Sequence, residues 1–91
     1  MIPDNARPRL AAKSRLKWDE VRKEHLLLFP EGLLVLNPTA RAVLDLCDGH
    51  RAIADIAKAL GERYNADVSS DVKELLSRLA EKGLVVWKNE E

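Results

Sequence analysis

The sequence predicts an α+β domain in which a small antiparallel N-terminal sheet precedes three α-helices and a short C-terminal strand. Three observations predict it. Two runs of four apolar residues, Leu26-Leu27-Leu28-Phe29 and Leu33-Leu34-Val35-Leu36, flank Pro30-Glu31-Gly32. Proline pre-sets the first turn dihedral and glycine accepts the left-handed conformation a hairpin loop needs, so the stretch reads as a β-hairpin. Three later segments repeat apolar residues at i, i+3, i+4, the spacing of one buried helix face. Strands followed by helices in chain order, without interleaving, place the helices on one side of the sheet.

Residues 1–14 hold two prolines and no apolar period, and are expected to form a mobile arm. Arg15-Leu16-Lys17-Trp18 alternates polar and apolar, as a strand with one buried face does, and Asp19-Glu20 breaks the pattern. After the hairpin, Asn37-Pro38 starts the first helix: Asn caps free N–H groups, and Pro at the first position loses nothing by lacking its own. Its stripe is Ala40, Val43, Leu44 and Cys47, and Asp48-Gly49 ends it. The second helix carries Ile53, Ile56, Ala57 and Leu60, with Tyr64 a turn beyond and Gly61 marking its expected end. Ser69 or Ser70 is expected to cap the third, whose stripe is Val72, Leu75, Leu76 and Leu79, with Gly83 closing it. Leu84-Val85-Val86-Trp87 reads as the last strand and 88–91 as a frayed tail. One domain over 15–87 is thus expected, without internal repeats, and its parts are those of a winged helix-turn-helix.

Composition narrows the function. At 91 residues with 46% apolar and 33% charged, the chain can bury a core and does not resemble a disordered one. Fifteen basic against fifteen acidic residues give no net charge, which argues against a general nucleic-acid binder and against a polybasic membrane tether. The positive surplus is local, +3 over residues 1–25. No apolar run approaches the roughly 20 residues that cross a bilayer. A lone Cys47 excludes an internal disulfide, and the N-terminus lacks a signal-peptide pattern, so a reducing, cytoplasmic setting is expected.

Catalytic material is sparse. His25 and His50 lack the short spacing of a metal site, and both are read as solvated. Cys47 sits on an apolar stripe, where a free cysteine behaves as a small hydrophobe. No glycine-rich phosphate loop is present. The expectation is a non-enzyme that carries no cofactor and no metal.

The hairpin holds the positive clue. A strand with one wet face should alternate, yet neither Leu26–Phe29 nor Leu33–Leu36 does. Each exposed Leu or Phe forgoes roughly 1.5–3 kcal/mol of burial, so something should cover the second face. The N-terminal arm with Trp18, a second copy of the chain or another protein would each serve. Gly32 to Leu36 also lacks the charges and prolines that protect sheet edges. An extended peptide can add there as a new strand; the competing reading is a central or covered strand whose residues are only core.

Several segments in this order and spacing resemble the PqqD family. They are Phe29-Pro30-Glu31-Gly32, Leu36-Asn37-x-x-Ala40, Leu44-x-x-Cys47-Asp48-Gly49, Ile56-x-x-x-Leu60-x-x-x-Tyr64, Asp71-Val72-x-x-x-Leu76-x-x-Leu79 and Gly83-Leu84-Val85. The likeness runs from about Arg7 to Trp87. It implies a cofactor-free chaperone of pyrroloquinoline quinone biosynthesis, similar to the leader-recognition domains of ribosomally made, modified peptides. Such proteins hold the precursor peptide PqqA and deliver it to the radical-SAM enzyme PqqE, which cross-links a Glu and a Tyr within it. The resemblance also implies that the leader adds beside Leu33, Leu34, Val35 and Leu36 and packs on a subset of Val72, Leu75, Leu76 and Leu79.

Two positions depart from the family pattern: Ala52, where a Thr often caps the second helix, and Leu84, where an aromatic is common. They leave room for a related domain that serves a different modified peptide. A DNA-binding winged helix competes, but the third helix exposes Asp71, Glu74 and Glu81 beside Lys73, Arg78 and Lys82, and Glu74/Arg78 at i, i+4 mark a solvated face. A homodimer through the apolar hairpin is compatible with peptide binding.

Overall fold

The two apolar runs pair as expected. In the computed structural model, which describes residues 2–88, the elements are β1 (Arg7–Leu10), β2 (Arg15–Asp19), β3 (Glu24–Phe29), β4 (Gly32–Leu36), α1 (Pro38–Asp45), α2 (Ile53–Tyr64), α3 (Ser69–Glu81) and β5 (Val85–Lys88). Strands β2, β3 and β4 form an antiparallel sheet in that order, with Phe29 opposite Gly32 closing a two-residue turn. Gly32 has φ 158°, near extended, so the left-handed conformation expected of it is not used.

The arm is where the sequence reading needs correction. Residues 7–10, placed there in a mobile segment, form β1 and pair antiparallel with β5 from Arg7–Lys88 to Leu10–Val85. Ile2 and Ala6 are buried in the core. Two prolines hid this strand, yet Pro8 is tolerable because its carbonyl, accepting from the Gly49 N–H at 2.9 Å, turns away from β5, so the missing N–H lies on the side where β1 has only the Arg9–Asp48 bridge. The boundary expected at residue 14 therefore divides one packed unit. Lys88, expected to begin a frayed tail, ends β5, and residues 89–91 lie outside the described residues.

The same arm supplies the cap that Ala52 lacks. The N–H groups of Ile53 and Ala54, at the start of α2, donate to the carbonyls of Ala6 at 3.0 Å and Asp4 at 3.1 Å. Asp55 adds its carboxylate to the Ala52 N–H at 3.3 Å. At α1 the expected cap holds, the Ala40 N–H donating to Asn37 Oδ1 at 2.7 Å. Gly61 does not end α2. The helix runs to Tyr64 and closes at Asn65 in the left-handed conformation, φ 54°. There the chain doubles back so tightly that a Cβ on Gly61 would lie 2.9 Å from the Ala66 carbonyl oxygen. Neither serine caps α3. Val68 takes that position, and the Asp67 carboxylate accepts from the Ser69 N–H and hydroxyl.

One core joins these parts. Leu27 and Leu36 of the sheet, Val43 and Leu44 of α1, Ile53, Ile56 and Leu60 of α2, Val72, Leu76 and Leu79 of α3, and Leu84 and Val85 are all buried together. Leu16, Phe29 and Leu34 pack against it half-buried, so alternate positions on each strand face the helices. The other alternate set faces away: Arg15, Leu28 and Leu33 in one cross-strand row, Lys17, Leu26 and Val35 in the next. Leu26 is buried within that outer face, but Leu33 and Val35 are 46% and 54% exposed. The arm does not cover them, being engaged with β5.

Candidate functional site

Strand β4 is an edge, and its pairing decides what it offers. Because the Phe29–Gly32 pair closes a two-residue turn, it exchanges both ladder hydrogen bonds, and bonded pairs then alternate along the hairpin. Leu27–Leu34 and His25–Leu36 are bonded pairs. Leu28–Leu33 and Leu26–Val35 are not, so the N–H and C=O groups of Leu33 and Val35 turn outward to the open edge. No charge or proline lies between Gly32 and Leu36. The opposite edge, β2, carries Arg15, Lys17 and Asp19, the usual protection against strand addition.

Where β4 stops, a groove begins. Asn37, next in the chain, caps α1 and forms one end of a cavity of about 380 Å³ between α1 and α3. Ala40, Val43, Val72 and Leu75 give it an apolar floor, while Asp71, Glu74 and Arg78 stand at its rim. Arg78 donates to Glu74 at 2.9 Å, the i, i+4 pair read from the sequence. Asp71 has no ion-pair partner among the described residues, so the rim is net acidic.

The eight expected site residues separate by burial. Leu33 and Val35 are exposed at the edge, and Leu34 and Leu75 are half-buried against the core. Val72 is 1% exposed but lines the groove floor. Leu36, Leu76 and Leu79 lie in the core and reach neither surface. The groove residues that sequence reading did not nominate, Asn37, Thr39, Ala40, Val43, Val68, Asp71, Glu74 and Arg78, come together only because α1 and α3 converge. The one available signal was the charged face of α3 flanking Leu75.

The remaining candidates stay structural. Cys47 is buried, its Sγ 3.3 Å from the Val43 carbonyl, and burial, with Asp48 adding, pushes its thiol up to about 12. The thiolate is therefore negligible at neutral pH. His50 is exposed, whereas His25 is not free in solvent as expected. It lies half-buried with its ring 4.7 Å from that of Trp18, its Nδ1 buried and without a hydrogen-bond partner among the described residues. Strand alternation places His25 on the same side as Leu36, toward the helices. Among the described residues no group of three His, Cys, Asp or Glu side chains is placed to hold a metal ion, and no helix is long and apolar enough to cross a membrane.

Comparison with known proteins agrees with this architecture. The family model described as Coenzyme PQQ synthesis protein D (PqqD) matches residues 24–85. A PqqA binding protein of Rhodopseudomonas palustris strain TIE-1 is 39% identical over 92 residues, covering 98% of this chain and 90% of that one. The bifunctional coenzyme PQQ synthesis protein C/D of Methylorubrum extorquens is 44% identical over 78 residues, covering 82% of this chain but only 21% of the longer protein. Among solved structures, the solution structure of the PqqD truncation of Methylobacterium extorquens PqqCD superposes with a TM-score of 0.75 at 41% identity, covering 87% of each chain. That protein is described as a functional, stand-alone RiPP recognition element. The crystal structure of PqqD from Xanthomonas campestris gives a TM-score of 0.57 at 34% identity, covering 92% of this chain and 97% of that one. An edge strand leading into a helix-lined groove, a family match over most of the fold and two solved neighbours point the same way: the chain belongs to the PqqD family.

Proposed function

We propose that this protein is a peptide chaperone of pyrroloquinoline quinone biosynthesis, which binds the precursor peptide PqqA and presents it to the radical-SAM enzyme PqqE. The observation that carries the reading is the unprotected apolar edge of β4 leading directly into the α1–α3 groove. The leader adds as a strand, its backbone pairing with the outward N–H and C=O groups of Leu33 and Val35. Its helix-facing side chains pass Leu34 and drop an apolar residue onto Val72 and Leu75. The protein's part is to hold and orient, without catalysis or cofactor, and the names and structures of its relatives support that role. Leu36, Leu76 and Leu79 act from behind by setting the strand and helix at the right separation. The cytoplasm is the proposed compartment, where the single cysteine stays reduced.

Titrating isotope-labelled protein with synthetic PqqA tests this. Backbone amide shifts should concentrate on Gly32 to Leu36 and on α3 around Leu75. Saturating peptide that leaves those amides unmoved, in a sample that sedimentation shows to be monomeric, sinks PqqA as the ligand.

A further inference from the structure

Between residues 5 and 18 the chain carries Arg7, Arg9, Lys13, Arg15 and Lys17 and no carboxylate. Three of these cations gather beside the outer face of the sheet. Arg15 stands in the row with Leu28 and Leu33, Lys17 in the row with Leu26 and Val35. Lys13 and Arg15 also line a cavity of about 530 Å³ at the hairpin end of the sheet, with Leu28 from this face and Phe29 and Pro30 beside it. Six other cations are neutralised locally, in Arg22–Asp19, Lys23–Glu20, Arg41–Asp45, Arg51–Asp48, Lys73–Asp4 and Arg78–Glu74, whereas Arg9, Lys58, Arg63 and Lys82, which also lack an ion-pair partner among the described residues, are spread over β1, α2 and the end of α3. Lys13, Arg15 and Lys17 have no such partner among the described residues. The carboxylates of the same face, Asp19 and Glu24, sit at its far end, and Asp19 is already engaged by Arg22 and by the backbone N–H groups of Val21 and Arg22.

We propose that this outer face is a second docking surface, which takes a partner protein presenting carboxylates around one or two apolar side chains. Exposed Leu33 and Val35 supply the apolar contact, and the unpaired cations ask for the opposite charge. A strand added at β4 lies in the plane of the sheet and leaves this face open, so both sites can be filled together. The inference rests on the chaperone reading in one respect: the partner is then the enzyme that modifies the peptide, held on one face while the substrate occupies the adjoining edge.

The test compares wild type with Arg15→Glu/Lys17→Glu and with Lys58→Glu/Lys82→Glu, which makes the same charge change at exposed lysines away from the face. Calorimetric titration with purified PqqE should show the Arg15/Lys17 variant about tenfold or more weaker at low salt, with the Lys58/Lys82 variant close to wild type. Raising salt from about 50 to 300 mM should narrow the gap by screening. PqqA shifts should be the same in all three proteins. Equal PqqE affinity for wild type and the Arg15/Lys17 variant overturns the proposal, as does no PqqE binding by wild type or a wild-type dimer that the Arg15/Lys17 change dissolves. Absence of PqqA shifts in wild type counts against the chaperone reading instead.

Discussion

The Asp48 carboxylate closes the turn between α1 and α2 by accepting from the His50 N–H at 2.8 Å, the Arg51 N–H at 3.1 Å and Arg51 Nη1 at 2.7 Å. The His50 backbone donor first, then Arg51, holds its carboxyl below the usual carboxylate range. A folded-state value depressed below the unfolded one, about 3.9, adds stability above that pH and loses it as pH falls through the folded value. Asp67 behaves alike, lowered by the Ser69 hydroxyl and then by its N–H. Carboxyl-detected NMR across an acid titration should therefore give Asp48 a midpoint below about 3.9. Asp48→Asn keeps an acceptor for the two N–H groups but cannot titrate, so its melting temperature should fall less steeply than wild type as pH drops below that range. Identical acid sensitivity of the two proteins would remove Asp48 from the account.

Among the elements, β1 and the segment before it show what periodicity cannot reveal. The hairpin, the three helices and the Asn37 cap were legible because each is written within one stretch of chain. Residues 2–10 were not, since a four-residue strand containing Pro8 carries no period, and Ile2 and Ala6 are buried only by tertiary placement. Their carbonyl contacts to α2 are equally non-local. The candidate site divides along the same line: the edge strand was legible from its lack of charge, Val72 and Leu75 of the groove were named through the family resemblance, and the α1 wall of the groove was not legible. Deleting residues 1–6 removes the buried Ile2 side chain and both carbonyl caps, and should cost about 2–4 kcal/mol. For a domain of this size each kcal/mol lowers the melting temperature by roughly 4–8 °C. A deletion variant melting within a degree or two of wild type would mean that the arm is not part of the stabilising core.

At the scale of the whole molecule, the two sheets present four edges, and their chemistry separates the one meant to be extended from those that are not. Strand β1 carries Arg7, Pro8 and Arg9 and is already bridged at Arg9 by Asp48, β5 ends in Lys88, and β2 carries Arg15 and Lys17. Only β4 shows unbroken apolar sequence. If β4 is where the peptide adds, binding can be separated from folding at a single atom. The Val35 N–H points to the open edge, so Val35→Pro removes a donor that β3 never used, and proline is tolerated on an edge strand whose N–H side faces solvent. The variant should fold, with a melting temperature within a few degrees of wild type and unchanged amide shifts in α2, yet lose PqqA binding by about tenfold or more through one missing ladder bond and a blocked register. Leu34→Pro supplies the contrast, since its N–H bonds to Leu27 within the hairpin and its loss should unfold the sheet. A folded Val35→Pro protein that binds PqqA with wild-type affinity would rule out strand addition at β4 and leave the α1–α3 groove as the whole of the site.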